Sequence, residues 1–140
     1  MKNELKVKQG KKNRKSGREF ELKVRKDLEL KGWTVAKWTN NIEDGKIISA
    51  KHKFNPFGRC MVQGTGFPDF IAFKNIILEI PGGASGLYDV MGVEVKSAKY
   101  LDKIEKEKCA MYLTNKTFSR ILIASKCAEG IKYDEFVPSL

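Results

Sequence analysis

The sequence predicts an α/β fold: helices packed about a central mixed β-sheet, with the elements in the order α-β-β-β-α-β. Three observations carry that expectation. Phe20, Val24 and Leu28 recur at four-residue spacing, which draws one apolar stripe down a helix. Two short apolar runs, around Phe70-Ile71-Ala72-Phe73 and Val90 to Ser97, are bounded by turn residues and read as strands. A Lys- and Glu-rich helical stretch from about Tyr100 to Leu113 then leads into the apolar run Arg120-Ile-Leu-Ile-Ala-Ser125.

Taken in order, Ser16 with Glu19 three residues on has the form of a capping box, so the first helix is expected over about 17–30. Gly32 ends it as a C-terminal cap. Trp33 to Trp38 alternates as a strand, and Asn40-Asn41 and Asp44-Gly45 mark turns. Lys46 to Ala50 has the makings of a short strand, and Asn55-Pro-Phe-Gly58 is a turn. Phe67 to Lys74 is a strand that is apolar on both faces and hence interior to a sheet, followed by a second apolar run, Ile76 to Ile80. Pro81 to Gly86 is a flexible loop, and it lacks the GK[ST] ending of a phosphate-binding P-loop. In the second helix Leu101, Ile104, Met111 and Tyr112 are expected toward the core. After Ser125 the chain trails off.

With 140 residues the chain suits one domain. No apolar run nears the roughly 18 residues that span a bilayer, and the N-terminus has no apolar signal core, so a cytoplasmic protein is expected. Cys60, Cys109 and Cys127 lie far apart without CxxC spacing, which points to reduced thiols and not to a disulfide framework or zinc site. His52 is the only histidine, which excludes a histidine-rich metal centre. The net charge of +10 is uneven: residues 1–16 carry seven Lys/Arg against Glu4 alone. That segment is too polar to build a core and reads as a flexible basic arm preceding a single domain over 17–140. Lys11, Lys12, Arg14 and Lys15 are its candidates for tracking phosphate, joined by Arg18, by Lys51 and Lys53, which interleave with Phe54 and Phe57, and by Lys99.

The candidate chemistry lies in Pro68-Asp69 and Glu94-Val95-Lys96. Side chains alternate along a strand, so Glu94 and Lys96 share one face while Val93 and Val95 share the other. Asp69 at the start of a neighbouring strand can reach the same spot. Two carboxylates and the Val95 carbonyl form a hard oxygen set suited to Mg²⁺ or Mn²⁺. Such an ion generates a nucleophilic water, and Lys96 can orient it and add positive charge where negative charge develops. Gly64-Thr65-Gly66, just upstream, reads first as a plain turn and second as room for a DNA backbone near Asp69. Glu79 is a lesser candidate ligand, and Asp89 and Asp102 flank the site in sequence only.

These residues resemble the PD-(D/E)xK nuclease superfamily: Gly64-Thr-Gly-Phe-Pro68-Asp69, two apolar runs, then Glu94-Val-Lys96, across about residues 15–126. Within it the chain looks most like the archaeal Holliday junction resolvases, with VRR-NUC-type nucleases as close competitors. The resemblance implies a restriction-endonuclease-like core, Mg²⁺- or Mn²⁺-dependent hydrolysis of DNA, roles in recombination or repair, and a homodimer. Lys15-Ser-Gly17-Arg-Glu-Phe-Glu21 is similar to the basic segment and first-helix acid of the resolvases, which implies that Glu21 assists the metal site, with Glu19 as its rival. VRR-type enzymes carry a Gln early in the helix after ExK, where this chain has Glu105, read as a surface residue. The segment from Asn40 to Gly64 is longer than in compact resolvases. A non-catalytic nucleic-acid-binding module is the reading from another class.

Overall fold

The computed structural model describes residues 2–50, 52–55, 57–58, 60–63, 66–76, 79–80, 83–84, 86–98 and 100–139; for 52–55, 60–63, 79–80 and 83–84 it describes the backbone alone. Among these residues the architecture is α/β. Helix α1 (Lys2–Leu30) is followed by β1 (Thr34–Lys37), two hairpins, β2 (Asn40–Glu43) with β3 (Lys46–Ser49) and β4 (His52–Asn55) with β5 (Cys60–Gln63), and then β6 (Phe70–Ile76). A small pair, β7 (Glu79–Ile80) and β8 (Gly83–Ala84), precedes β9 (Leu87–Lys96), α2 (Lys103–Thr114), β10 (Arg120–Cys127) and β11 (Gly130–Glu135). The main sheet has the order β1-β6-β9-β10-β11. It is mixed: β9 and β10 run parallel, and the other pairs are antiparallel.

Alternation along the strands divides the core into two layers. Phe20, Val24 and Leu28 of α1 pack on Val35, Phe70, Ala72, Met91, Val93 and Ala124. The opposite face, carrying Ile121 and Ile123, meets Leu101, Cys109 and Tyr112 at α2, with Ile42, Phe67 and Phe118. The first layer follows the helix pattern as expected. In the second, Ile104 is 64% exposed and Cys109 occupies the core position instead. Cys109 and Tyr112, three residues apart, share the inward face of α2; Ile104 lies five residues before Cys109 and off that face, and Leu101 precedes the helix.

Four boundaries differ from expectation. The first helix begins at Lys2, not at Gly17, so residues 2–16 are helical and Ser16 lies within the helix, where its Oγ accepts from Lys126 Nζ at 3.3 Å. Lys, Arg, Gln and Glu are good helix formers, and the isolated Gly10 and Gly17 weaken the helix without ending it. Asn40 and Asn41 belong to β2; the turn is Asp44-Gly45 alone, with φ of 50° and 73°, the paired left-handed conformations of a two-residue hairpin. The second apolar run is divided, since Ile76 ends β6 and Glu79–Ile80 pairs with Gly83–Ala84 inside the stretch expected to be a loop. The C-terminus does not trail off: Gly130–Glu135 returns along β10 as an edge strand.

Gly32 closes α1 as its composition predicts. It holds φ of +93°, its N–H reaches the Glu29 carbonyl, and Trp33 N–H reaches the Leu28 carbonyl. This cap turns the chain directly into β1. Antiparallel to α1, β1 then carries Lys37 back toward the Phe20 end of the helix.

Burial separates the thiols. Cys109 is fully enclosed, and burial, with the charges of Glu94 and Glu105, pushes its thiol up to about 12, so it stays protonated at neutral pH. Cys127 is exposed. At pH 8, alkylation followed by peptide mass mapping is expected to label Cys127 within minutes and Cys109 only when the protein is unfolded; rapid native labelling of Cys109 would contradict this packing.

Candidate functional site

The antiparallel register of β6 and β9 aligns Phe70 with Val93. One step further along places Asp69, just ahead of β6, opposite Glu94. Trp38 N–H donates to the Asp69 carbonyl at 3.0 Å, extending the β1–β6 ladder by one residue and fixing the Asp69 backbone from the other side. The Asp69 side chain crosses to β9, where Oδ2 accepts the Val95 N–H at 2.9 Å.

The segment holding Asp69 is anchored from below. Tyr112, fully buried on α2, donates its hydroxyl to the Phe67 carbonyl at 2.6 Å and accepts from the Trp38 indole at 3.1 Å. Pro68 lies on Gly92; a Cβ there would come within 2.9 Å of the proline ring and 3.2 Å of Phe118. Glycine at 92 therefore sets how closely the Pro68-Asp69 segment approaches β9. Gly66 serves the protein in the same way. Its missing side chain admits the backbone of Trp38 and Asn40, so the close approach expected for a DNA backbone is taken up by the chain itself. Gly64 and Thr65 lie outside the described residues.

Glu94 is only 6% exposed and shares the α2 face with Ile123, to which it is aligned. Burial first, then the charge of Asp69 and a hydrogen bond with it, push the Glu94 carboxyl up to about 10; Lys96 opposes this and Glu105 adds to it. With both acids ionised, Glu94 Oε2 is buried without a hydrogen-bond partner. A proton or a cation between the two carboxyl groups would satisfy that oxygen. The donor set therefore fits a divalent ion, with Asp69, Glu94 and the Val95 peptide as the residues that would hold it.

Glu21 stands at the margin. Burial and the Asp69 charge raise its pKa, and Lys37, at 3.9 Å, partly offsets them. It faces the same end of the sheet, yet among the described residues no group of three or more His, Cys, Asp and Glu side chains is arranged to hold a metal ion. Glu19 is exposed and lies 4.0 Å from Lys15.

Lys96 follows Glu94 on the same face, and its Nζ lies 2.6 Å from Glu105 Oε2. Burial alone lowers the affinity of this ammonium for its proton, but the hydrogen bond and charge of Glu105, with Glu94 and Asp102, outweigh it and hold the pKa above the ordinary lysine value. Glu105 is thus a part of the site and not the surface residue expected, its side chain being 15% exposed. Asp102 and Glu105 form a reciprocal capping box at the start of α2. That Asp-x-x-Glu signature is legible in the sequence and would have placed Glu105 beside the strand end.

Of the basic candidates, Lys11, Lys12, Arg14, Lys15 and Arg18 are exposed on α1. The contact of Lys126 with Ser16 fixes their direction, because β10 pairs Ser125 with Lys96 and Lys126 lies one step beyond. Residues 2–17 consequently leave the core at the Lys96 end of the sheet and extend about 24 Å at the α-helical rise. Lys51 and Lys99 lie outside the described residues, as do the side chains of Lys53 and Glu79. Asp89 is at the far end of β9, bound to Arg120 at 3.0 Å and to Ser119 at 2.6 Å, and takes no part in the site.

The raised Glu94 pKa has a direction in pH. Folded Glu94 keeps its proton while the unfolded residue, near 4.5, loses it, so metal-free protein loses stability as pH rises through the interval from 4.5 toward 10. In EDTA, Glu94→Gln is expected to melt above the parent at pH 8, with the gap closing toward pH 4.5. Calorimetric scans across that range check it; a gap independent of pH would contradict the burial and pairing described.

Comparison with protein families, curated proteins and solved structures found no match for this chain.

Proposed function

We propose that this protein is a metal-dependent DNA endonuclease with a restriction-endonuclease-like core, related in design to the PD-(D/E)xK nucleases and closest in kind to Holliday junction resolvases. One observation carries the reading: in a chain of net charge +10, a buried Glu94 is brought against a half-buried Asp69, with a lysine beside them. Clustered acids repel phosphate unless a cation stands between them. A module that only bound nucleic acid would gain nothing from such a pair.

Asp69, Glu94 and the Val95 carbonyl would hold Mg²⁺ or Mn²⁺, which supplies an acidified water and neutralises charge on the scissile phosphate. Lys96 orients the attacking water and offsets negative charge in the transition state. Glu21, at the rim, completes the acidic margin on the Asp69 side. The exposed cations of α1 hold the DNA backbone beside the same end of the sheet. A homodimer would present two such sites to two strands. A VRR-NUC-like repair nuclease is the second reading, from which the chain departs in carrying Glu105 where that group has Gln. No described helix is long and apolar enough to cross a membrane.

Labelled four-way junctions, flaps, duplex and single strands, each incubated with Mg²⁺, Mn²⁺ or EDTA, test the proposal. Metal-dependent paired nicks confined to junctions are expected; cuts at flaps or ends select the second reading, and no cleavage of any substrate rejects both. Glu94→Ala should remove cleavage while DNA affinity is retained. Removal of residues 2–14 should weaken DNA binding and flatten its dependence on salt by about 0.9 in log–log slope for each phosphate that the helix no longer neutralises. An unchanged slope would show that the helix overhang does not touch DNA.

A further inference from the structure

We infer that Glu105 is a positioning residue for Lys96, holding its ammonium toward α2 and off the Asp69–Glu94 pair; this rests on the role proposed for Lys96 above. Each Glu105 oxygen has its own partner. Oε1 accepts the Asp102 N–H at 3.1 Å, which ties the side chain to the first turn of α2. Oε2 meets Lys96 Nζ at 2.6 Å. The carboxylate therefore bridges the helix start and the strand end, and neither oxygen is free to swing away without breaking a bond.

The position of the bridge matters because Lys96 follows Glu94 by two residues on one strand face. Unrestrained, a four-carbon stem can fold the ammonium back onto Glu94, whose Oε2 is buried without a hydrogen-bond partner. An ammonium seated there would occupy the place a divalent ion needs. Glu105 offers Lys96 a better-anchored partner on the far side. Both side chains are largely enclosed, at 28% and 15% exposure, so solvent screens the contact less than it would at the surface.

The other duty of Glu105, capping α2, can be separated from this one. Asp102 Oδ1 accepts the Glu105 N–H at 2.8 Å, so Asp102→Ala removes the cap but leaves the Asp102 N–H that anchors Glu105. Glu105→Gln keeps an acceptor for that N–H and removes the charge facing Lys96. Each variant thus isolates one function.

The readout is the lysine ammonium itself, in metal-free full-length protein at mildly acidic pH, followed by ¹⁵N–¹H correlation NMR and assigned with Lys96→Met. Parent protein is expected to give a protected Lys96 ammonium signal. Asp102→Ala should keep that signal while melting about 4 °C lower; Glu105→Gln should lose it with little change in melting temperature. On the substrate the parent cleaves, Glu105→Gln should lower kcat roughly a hundredfold with DNA affinity unchanged. Retention of the signal in Glu105→Gln, its loss in both variants, or parental kcat in Glu105→Gln overturns the inference. If the parent cleaves nothing, the nuclease proposal falls, while the ammonium signal still decides whether Glu105 holds Lys96.

Discussion

The pairing register of β6 and β9 is the constraint on which the rest of the site depends. Because Phe70 lies opposite Val93, Asp69 arrives opposite Glu94, and a slip of one residue would turn Glu94 into the α1 layer and Val93 out of it. Packing makes that slip costly. Met91 and Val93 fill the layer under α1, and Gly92 accepts Pro68 on the other face, so core and site share one alignment. Trp38, Tyr112 and Phe67 hold the approach to Asp69 by hydrogen bonds that are buried or partly buried. The carboxyl pair is therefore positioned by the hydrophobic core and by the hydrogen-bonded corner beside it.

An acid placed in that position is unfavourable for folding. Glu94 is nearly enclosed, its nearest charged neighbour is another acid, and Ile123 and Cys109 border it on the α2 side. An apolar side chain would suit the surroundings better, since an unpaired buried carboxylate is among the costlier things a core can hold. Such strain between local preference and global packing is the mark of a functional position. Lys96 relieves it only in part, because its ammonium is paired with Glu105.

Much of this is legible from residues alone. The α1 stripe of Phe20, Val24 and Leu28 and the strands about Ala72 and Val93 follow from side-chain periodicity and turn chemistry, whereas the joining of Asp69 with Glu94 is what the motif resemblance implies. The N-terminal half of α1 is the harder case, because a polar segment without a core-facing stripe resembles a tail even though its residues favour helix. Glu105 is hidden for a related reason: a glutamate in a Lys- and Glu-rich helix looks solvated, and only the proximity of the α2 start to the end of β9 encloses it. Gly66 and Gly92 illustrate a further limit. A glycine in sequence announces freedom, but whether the chain itself or a ligand uses the space depends on which backbone passes beside it.

Acids and exposed cations stand near one another at one end of the molecule, and this placement bears on the proposed activity more than net charge does. The acids Glu21, Asp69, Glu94 and Glu105 gather at the end of the sheet where β1 finishes, β6 begins and β9 and α2 meet. Lys11, Lys12, Arg14, Lys15 and Arg18 stand on the exposed helix leaving that same end. A polyanion drawn along the helix is thereby delivered to a spot that repels it unless a cation intervenes. For a binding surface that arrangement is self-defeating, since attraction and repulsion act on one ligand a few residues apart. For the proposed nuclease it is coherent: the helix supplies affinity, the ion bridges the acids to one phosphate, and that phosphate alone is brought to Lys96.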